Sequence, residues 1–165
     1  MWDLRPRLAL ALGIALQASC GDDQGELELT IESGLCAAGP GPRLTTVGIL
    51  LAPHPARART LPTSFIESFD ACAQVEDEVI FQGTFEPGHE AYDVLVIAGL
   101  DEAGVRRSAE GCFDDLAIGA FGRSPCVLVQ RLAYVEPHSV TRVTIDVDDG
   151  CRQSSCASDC ELLCP

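Results

Sequence analysis

The stretch 26-ELELTIE-32 decides the fold class, because polar and apolar residues alternate along its whole length. Leu27, Leu29 and Ile31 would lie on one side of an extended chain, opposite the glutamates and Thr30. A period of two residues is typical of a strand that buries one face. The segment therefore predicts a β-strand that covers a hydrophobic core.

Further segments with strand composition follow along the chain. They are 45-TTVGILLA-52, 79-VIFQGTF-85, 92-YDVLVIAGL-100, 126-CVLVQRLAYV-135 and 140-VTRVTIDVD-148. The run at 92–100 is the most apolar, which predicts a central strand. In the last segment, Val143, Ile145 and Val147 are expected to face the core.

Two local patterns predict the connections between these strands. The stretch Asp101-Glu102-Ala103-Gly104 suits a four-residue hairpin turn, which makes 104–112 the expected partner strand. One short helix is predicted where apolar residues follow helical spacing in a proline-containing stretch, at Leu61, Phe65, Ile66 and Phe69.

About seven short strands, separated by turns rich in Gly, Pro and Asp, indicate an all-β fold. We expect an antiparallel β-sandwich of about seven strands, immunoglobulin-like or transthyretin-like in architecture and braced by disulfides. The only Trp is Trp2, so the core tryptophan of true immunoglobulin domains is missing. The expectation therefore concerns architecture alone.

Charge and motif content narrow the function classes. The 165 residues include 25 acidic and 11 basic side chains, a net charge of −14, which excludes nucleic acid as a partner. The sequence contains no GxSxG, HExxH or phosphate-binding loop motif. We therefore expect no catalysis, no catalytic residues and no cofactor.

The N-terminus has the layout of an export signal. Arg5 and Arg7 precede the apolar run 8-LALALGIAL-16, and small residues follow at Ala18 and Ser19. The stretch 16-LQASC-20 resembles a bacterial lipobox, which implies that Cys20 is lipidated and becomes the mature N-terminus. Two or more acyl chains are enough for stable membrane anchoring.

These features divide the chain into four parts. We predict a signal peptide at 1–19, a lipidated N-terminus with a short tether at 20–25, a β-sandwich domain at 26–149 and a Cys-rich C-terminal tail at 150–165.

The cysteines support an exported protein. Removing Cys20 from the nine leaves an even set of eight disulfide candidates: Cys36, Cys72, Cys112, Cys126, Cys151, Cys156, Cys160 and Cys164. Cys112 and Cys126 enclose an insert between two predicted strands, and Cys36 and Cys72 flank the second strand and the proline-rich loop. Bridges at these positions would contribute about 3 and about 4 kcal/mol through loop closure. The full connectivity stays open.

The last four cysteines allow a second interpretation. Cys151, Cys156, Cys160 and Cys164 lie within a short tail, where four thiolates would suit Zn²⁺ or Cu(I). No CxxC pair occurs and no histidine is near, so disulfides remain the first expectation and a metal site the alternative.

The lipobox-like segment, the acidic start at 21-GDD-23, the lack of Lys and Asn, and the Cys-rich strand pattern are similar to the small lipoproteins of myxobacteria. That resemblance implies the cell envelope, with the outer membrane as the expected membrane. It transfers no catalytic residue.

The expected function is that of a lipid-anchored envelope β-sandwich protein, which acts as a binding or structural assembly module. Its partners would be the membrane, through the anchor, and an envelope protein. One alternative is a thiolate metal-binding or metal-delivery lipoprotein that uses the C-terminal cysteines. Another is a hydrolase whose site is assembled from distant residues.

Overall fold

The computed structural model describes residues 25–57, 61–73, 75, 78–88, 90–148 and 150. In chain order the elements are β1 (Glu26–Glu32), β2 (Arg43–Pro53), β3 (Glu67–Asp70), β4 (Val79–Phe85), β5 (Ala91–Glu102), β6 (Val105–Arg106), α1 (Ala109–Ala117), β7 (Cys126–Tyr134) and β8 (Val140–Asp146). Short 3-10 helices lie at Gly34–Cys36 and Phe121–Arg123.

The strands form two open sheets that pack on a common core. The first sheet has the order β4-β1-β8, and the second has the order β3-β2-β5. Strand β7 and the short β6 both pair with the remaining edge of β5. The expected all-β, disulfide-braced sandwich is therefore confirmed.

One strand pair departs from the expected antiparallel arrangement. β1 and β8 are parallel, with a register from Glu26↔Val140 to Glu32↔Asp146. The chain leaves β7 at the end of the sandwich where β1 begins, and a short connection starts β8 there, so both strands run the same way. We call this the near end, and the end that holds Glu32 and Asp146 the far end.

The alternating pattern of β1 predicts its buried face correctly. Leu27, Leu29 and Ile31 are fully buried, while the residues between them are partly exposed. They pack in one cluster with inward residues of the other strands, among them Val96 on β5 and Ile145 on β8. This cluster fills the space between the two sheets.

β5 is buried on both faces, which explains why it is the most apolar strand. Val94 and Val96 face the core between the sheets. Leu95 and Ile97 face a second cluster, which also contains Cys112 of α1. The second sheet is therefore covered on its outer face, and the fold has a third layer that the sequence pattern did not predict.

The predicted partner strand at 104–112 is wrong beyond Arg106. β6 ends there, and Ser108 caps α1 by accepting a hydrogen bond from the backbone N–H of Gly111. Ala109, Cys112 and Asp115 are buried at helical spacing against the second sheet. The predicted turn is present in a tighter form, since Ala103 and Gly104 alone connect β5 to β6, with φ of 50° and 82°.

Among the described residues, no helix has the length and apolar character needed to cross a bilayer.

The predicted helix around Leu61 to Phe69 is also wrong. Residues Glu67–Asp70 form β3, which pairs with β2. The apolar residues of this stretch face different layers, because Leu61 and Phe65 pack on the outer cluster while Phe69 packs on the inner core. A single helical face cannot serve both.

Two disulfides join elements that are distant in the chain. Cys36 pairs with Cys72, which ties the segment after β1 to the segment after β3 and so links the two sheets at the far end. Cys112 pairs with Cys126, which ties α1 to β7. These are the two pairs that the strand positions suggested.

Candidate functional site

The residues predicted from the sequence fall into two groups. Cys36, Cys72, Cys112 and Cys126 are all in disulfides and serve the scaffold. Cys20 and the tail cysteines Cys151, Cys156, Cys160 and Cys164 lie outside the described residues. Within the described ranges, no three His, Cys, Asp or Glu side chains come together as a metal site requires.

A concavity formed by described residues lies on one side of the sandwich, between β3 and β4. Among the described strands each of these has one neighbour in its sheet, β2 for β3 and β1 for β4, so each presents its other edge to this side, which we call the open side. The opening has a volume of about 760 Å³ and continues towards the far end. We call it the β3–β4 cleft. Its lining consists of Phe69, Asp70, Ala73, Val75, Val79, Ile80, Phe81 and Gln82.

A row of phenylalanines follows the cleft down the open side of the sandwich. The rings of Phe69 and Phe81 stack with centroids 5.1 Å apart, and those of Phe81 and Phe85 lie 6.2 Å apart. These separations are typical of offset aromatic pairs. All three side chains are partly exposed while packing against the core. The row therefore offers apolar surface to anything that enters from the open side.

Gly83 makes room for this row. A Cβ atom at this position would lie 2.6 Å from the Cζ of Phe81, closer than any real Cβ contact. The side chain of Phe81 is thus able to lie over the backbone of its own strand. The pattern Phe81-x-Gly83-x-Phe85 is the local sequence signal for this arrangement, since alternation places both rings on one face of the strand.

A β-bulge in β4 shapes the wall of the cleft that this strand forms. Ile31 pairs with Phe81 and Glu32 with Val79, so Ile80 is an extra residue in β4 and is buried to 5% exposure. Just before it, Glu78 adopts a left-handed backbone with φ of 72°. Its carbonyl accepts a hydrogen bond of 2.8 Å from the N–H of Ser33. This backbone brings Val79 into the lining.

The charged side chain in the described lining is acidic. Asp70 is part of the lining, and its Oδ1 accepts a hydrogen bond of 3.3 Å from the N–H of Cys72. Two further exposed glutamates lie close in the chain to lining residues: Glu67, two residues before Phe69 on β3, and Glu78, directly before Val79. No basic residue contributes to the described lining. The cleft thus combines an apolar floor with an acidic rim.

A second polar feature lies on the outer face of the second sheet. Asp93 on β5 is 1% exposed and lies 3.0 Å from Nδ1 of His54 through its Oδ2. The same oxygen accepts a hydrogen bond from the N–H of Ala56. In the described part of the chain, the imidazole bonds to no hydroxyl or thiol that would serve as a nucleophile. The pair fixes the segment after β2 over the sheet.

A third polar cluster holds α1 in place. Arg107 donates from Nε and Nη2 to Asp115, at 3.0 and 2.6 Å, and Ser124 donates to Asp115 Oδ2 at 2.5 Å. The hydrogen bonds from Arg107 and then Ser124 lower the pKa of the Asp115 carboxyl. Because Asp115 is buried while saturated by donors, this cluster is a structural brace beside the Cys112–Cys126 disulfide.

No protein-family model matches this chain, and neither the curated proteins nor the solved structures contain a match to it. Any functional conclusion therefore rests on the geometry of the molecule itself.

Proposed function

We propose that this protein is a lipid-anchored binding or assembly module of the bacterial cell envelope. It is held in the membrane, expected to be the outer membrane, through acyl chains on Cys20. Its binding surface is the β3–β4 cleft. The observation that carries the proposal is that the cleft lies between β3 and β4 towards the far end, away from the start of β1.

The direction of β1 supports this arrangement. Cys20 precedes Gly25 by five residues, and Gly25 lies at the near end beside Glu136. β1 then runs seven residues to Glu32, which pairs with Val79 in the cleft lining. At 3.3 Å per residue the near end lies about 20 Å from Val79 and about 13 Å from Gln82, the lining residue that pairs with Thr30. A tether at Cys20 would thus leave the cleft directed away from the bilayer.

The chemistry of the lining favours binding. Six of its eight lining residues are apolar or aromatic, and Asp70 and Gln82 are its polar members. Binding sites typically combine such apolar surface with a few polar groups that fix orientation. The disulfide between Cys36 and Cys72 lies beside the cleft and holds its two walls in one geometry, which reduces the entropy lost when a partner binds.

The anchor is tested by replacing Cys20 with Ser in the full chain. We expect the wild-type protein in the membrane fraction and labelled with fatty acid, and the C20S variant soluble and unlabelled. Ser19→Ala is the matched control, since it keeps a small residue before the cysteine. Unlabelled, soluble wild-type protein would contradict the anchoring part of the proposal.

The binding surface is tested with a photo-crosslinking residue at Gln82 in the cells that encode the protein. The control position is Thr144, which is exposed on the opposite edge of the same sheet. We expect one dominant protein adduct from position 82, reduced by the additional change Val75→Ser, and no such adduct from position 144. Equal adducts at both positions, or none, would contradict a binding role for the cleft.

A further inference from the structure

The geometry points to a specific class of partner for this cleft: an extended apolar segment of another protein, flanked by basic residues, that pairs as a strand with the free edge of β4. This inference rests on the proposed binding role and adds the chemistry of the partner. It is carried by the free edge, the phenylalanine row and the acidic rim.

The free edge of β4 is open to pairing. In the described sheet β4 has β1 as its neighbour, so every second residue directs its backbone N–H and C=O away from the sheet. Edge strands usually carry charged residues or proline that block pairing with other chains. The sequence Val79–Phe85 (VIFQGTF) contains neither.

The other described edge strands are protected. β3 contains Glu67 and Asp70, and β7 contains Arg131. β8 contains two charged residues, Arg142 and Asp146. β4 is therefore the uncharged edge among the described strands, and it is also the edge beside the cleft.

The phenylalanine row provides the side-chain contacts for an added strand. Alternate residues of such a strand would face the open side of the sandwich, where Phe69, Phe81 and Phe85 are partly exposed. Val75, 43% exposed, extends this surface at the far end. Main-chain pairing would supply affinity, and the aromatic row would select apolar side chains.

The acidic rim selects the flanks of the segment. Glu67, Asp70 and Glu78 place negative charge around the cleft, and no basic residue of the described lining compensates it. Basic residues beside the apolar segment would meet this charge and would also speed association. The rim thus predicts a basic-flanked partner.

The same charges disfavour two other occupants of the β4 edge, namely the C-terminal tail of this chain and a second copy of the chain. The C-terminal residues 151–165 contain Asp159, Glu161 and one Arg, and are acidic overall. A second copy of the chain that paired antiparallel through β4 would place Glu78 near Glu86 of the other copy, at both ends of the pair. Like charges directly opposite each other are destabilising.

The inference is tested with labelled peptides and the detergent-solubilised full chain, by fluorescence anisotropy. The first probe has an alternating Val–Thr core with two Arg residues at each end. The second has the same core with Glu flanks, and the third has Arg flanks on a Gly–Ser core. We expect binding of the first probe alone, weakened at high salt.

Two variants identify the surface. The pair Glu67→Gln and Glu78→Gln should weaken binding of the first probe about three- to tenfold, while the matched pair Glu90→Gln and Glu136→Gln, which are exposed at the near end, should leave it unchanged. Val75→Ser should weaken binding through the apolar part. All five positions are exposed, so these variants are expected to keep the fold.

Each outcome has a definite meaning. Equal binding of the Glu-flanked probe, or no effect of the rim variants, would overturn the partner chemistry. Concentration-dependent dimers in sedimentation, without probe binding, would assign the edge to a second copy and overturn the inference. An adduct at Gln82 without probe binding would overturn this inference and leave the proposed function standing. The absence of both would overturn the two together.

Discussion

The hydroxyl of Ser33 donates a hydrogen bond of 2.6 Å to the carbonyl of Val147, across 114 residues of sequence. Ser33 is buried and also accepts a hydrogen bond from the N–H of Leu35. The contact joins the end of β1 to the residues after β8. It fastens the first sheet at its far end, next to the Cys36–Cys72 disulfide.

Replacing Ser33 with Ala should lower the free energy of unfolding by about 1–3 kcal/mol, because the Val147 carbonyl and the Leu35 N–H lose their buried partner. Urea denaturation followed by circular dichroism measures the change. Ser139→Ala is the control, since the hydrogen bond from that hydroxyl to the carbonyl of Glu136 is local and exposed, and its removal should cost less than about 0.5 kcal/mol. Equal midpoints for the wild type and S33A would refute the assignment.

Removing each described disulfide by paired Cys→Ala substitution should destabilise the protein by about 2–4 kcal/mol. The Cys36–Cys72 bridge spans 36 residues and the Cys112–Cys126 bridge spans 14, so loop entropy predicts the larger loss for the first. Chemical denaturation of the two double variants gives the order. A larger loss for Cys112–Cys126 would mean that packing of α1 outweighs loop closure.

The mass of the protein before and after reduction shows whether the tail cysteines form disulfides. The two described bridges account for a difference of about 4 Da between the native and fully reduced protein, and two further bridges in the tail would make it about 8 Da. We expect 8 Da, no alkylation of the native protein and no effect of chelators on Tm. A difference of 4 Da with one Zn or Cu per chain would favour the metal-binding alternative.

Asp93→Ala should cost about 2–3 kcal/mol of stability, because the Ala56 N–H loses its acceptor and His54 loses its partner beneath the covering segment. Asp93→Asn retains one acceptor oxygen and should cost less. Thermal unfolding of the two variants gives the comparison. If D93A matches the wild type, the pair is not what holds the segment after β2.

The hydrogen bonds to Asp115 predict that part of the folding stability is lost in acid. Its pKa in the folded protein is lowered by hydrogen bonds from Arg107 and Ser124, so the stabilising contribution is present above the ordinary value of 3.8 and is lost as pH falls through the lower folded pKa. Asp115→Asn should therefore flatten the loss of stability below about pH 4. Denaturation midpoints between pH 2 and 7 test this. An unchanged acid slope in D115N would contradict it.

Strands were predictable where burial imposes a local pattern, either alternation or a continuous apolar run. The alternation of Leu27, Leu29 and Ile31 predicts β1. The apolar run at 92–100 predicts β5 as a central strand, and that strand is buried on both faces. The helix was misplaced for a physical reason. Ser108 is a good N-cap and Ala109, Cys112 and Phe113 follow helical spacing, but the preceding hairpin made an extended partner equally plausible from sequence.

The cleft could not be predicted from the sequence, because it depends on contacts between residues that are distant in the chain. Phe69 was assigned to a helix, and its stacking on Phe81 requires β3 and β4 to be edges of different sheets. The bulge at Ile80 arises from a register shift against Ile31 and Glu32 that alternation alone cannot specify. The pair of His54 and Asp93 likewise joins residues 39 positions apart in sequence.

The adjacency of β1 and β8 has a consequence for the order in which the chain folds. β1 is the middle strand of its described sheet, so one of its edges stays unfilled until residues 140–146, more than a hundred residues later in the chain, become available. Contacts of such long sequence separation slow folding, because the chain loses the entropy of loop closure before the strand pair forms and stabilises it. A nascent chain therefore completes this sheet only after residues 140–146 have emerged.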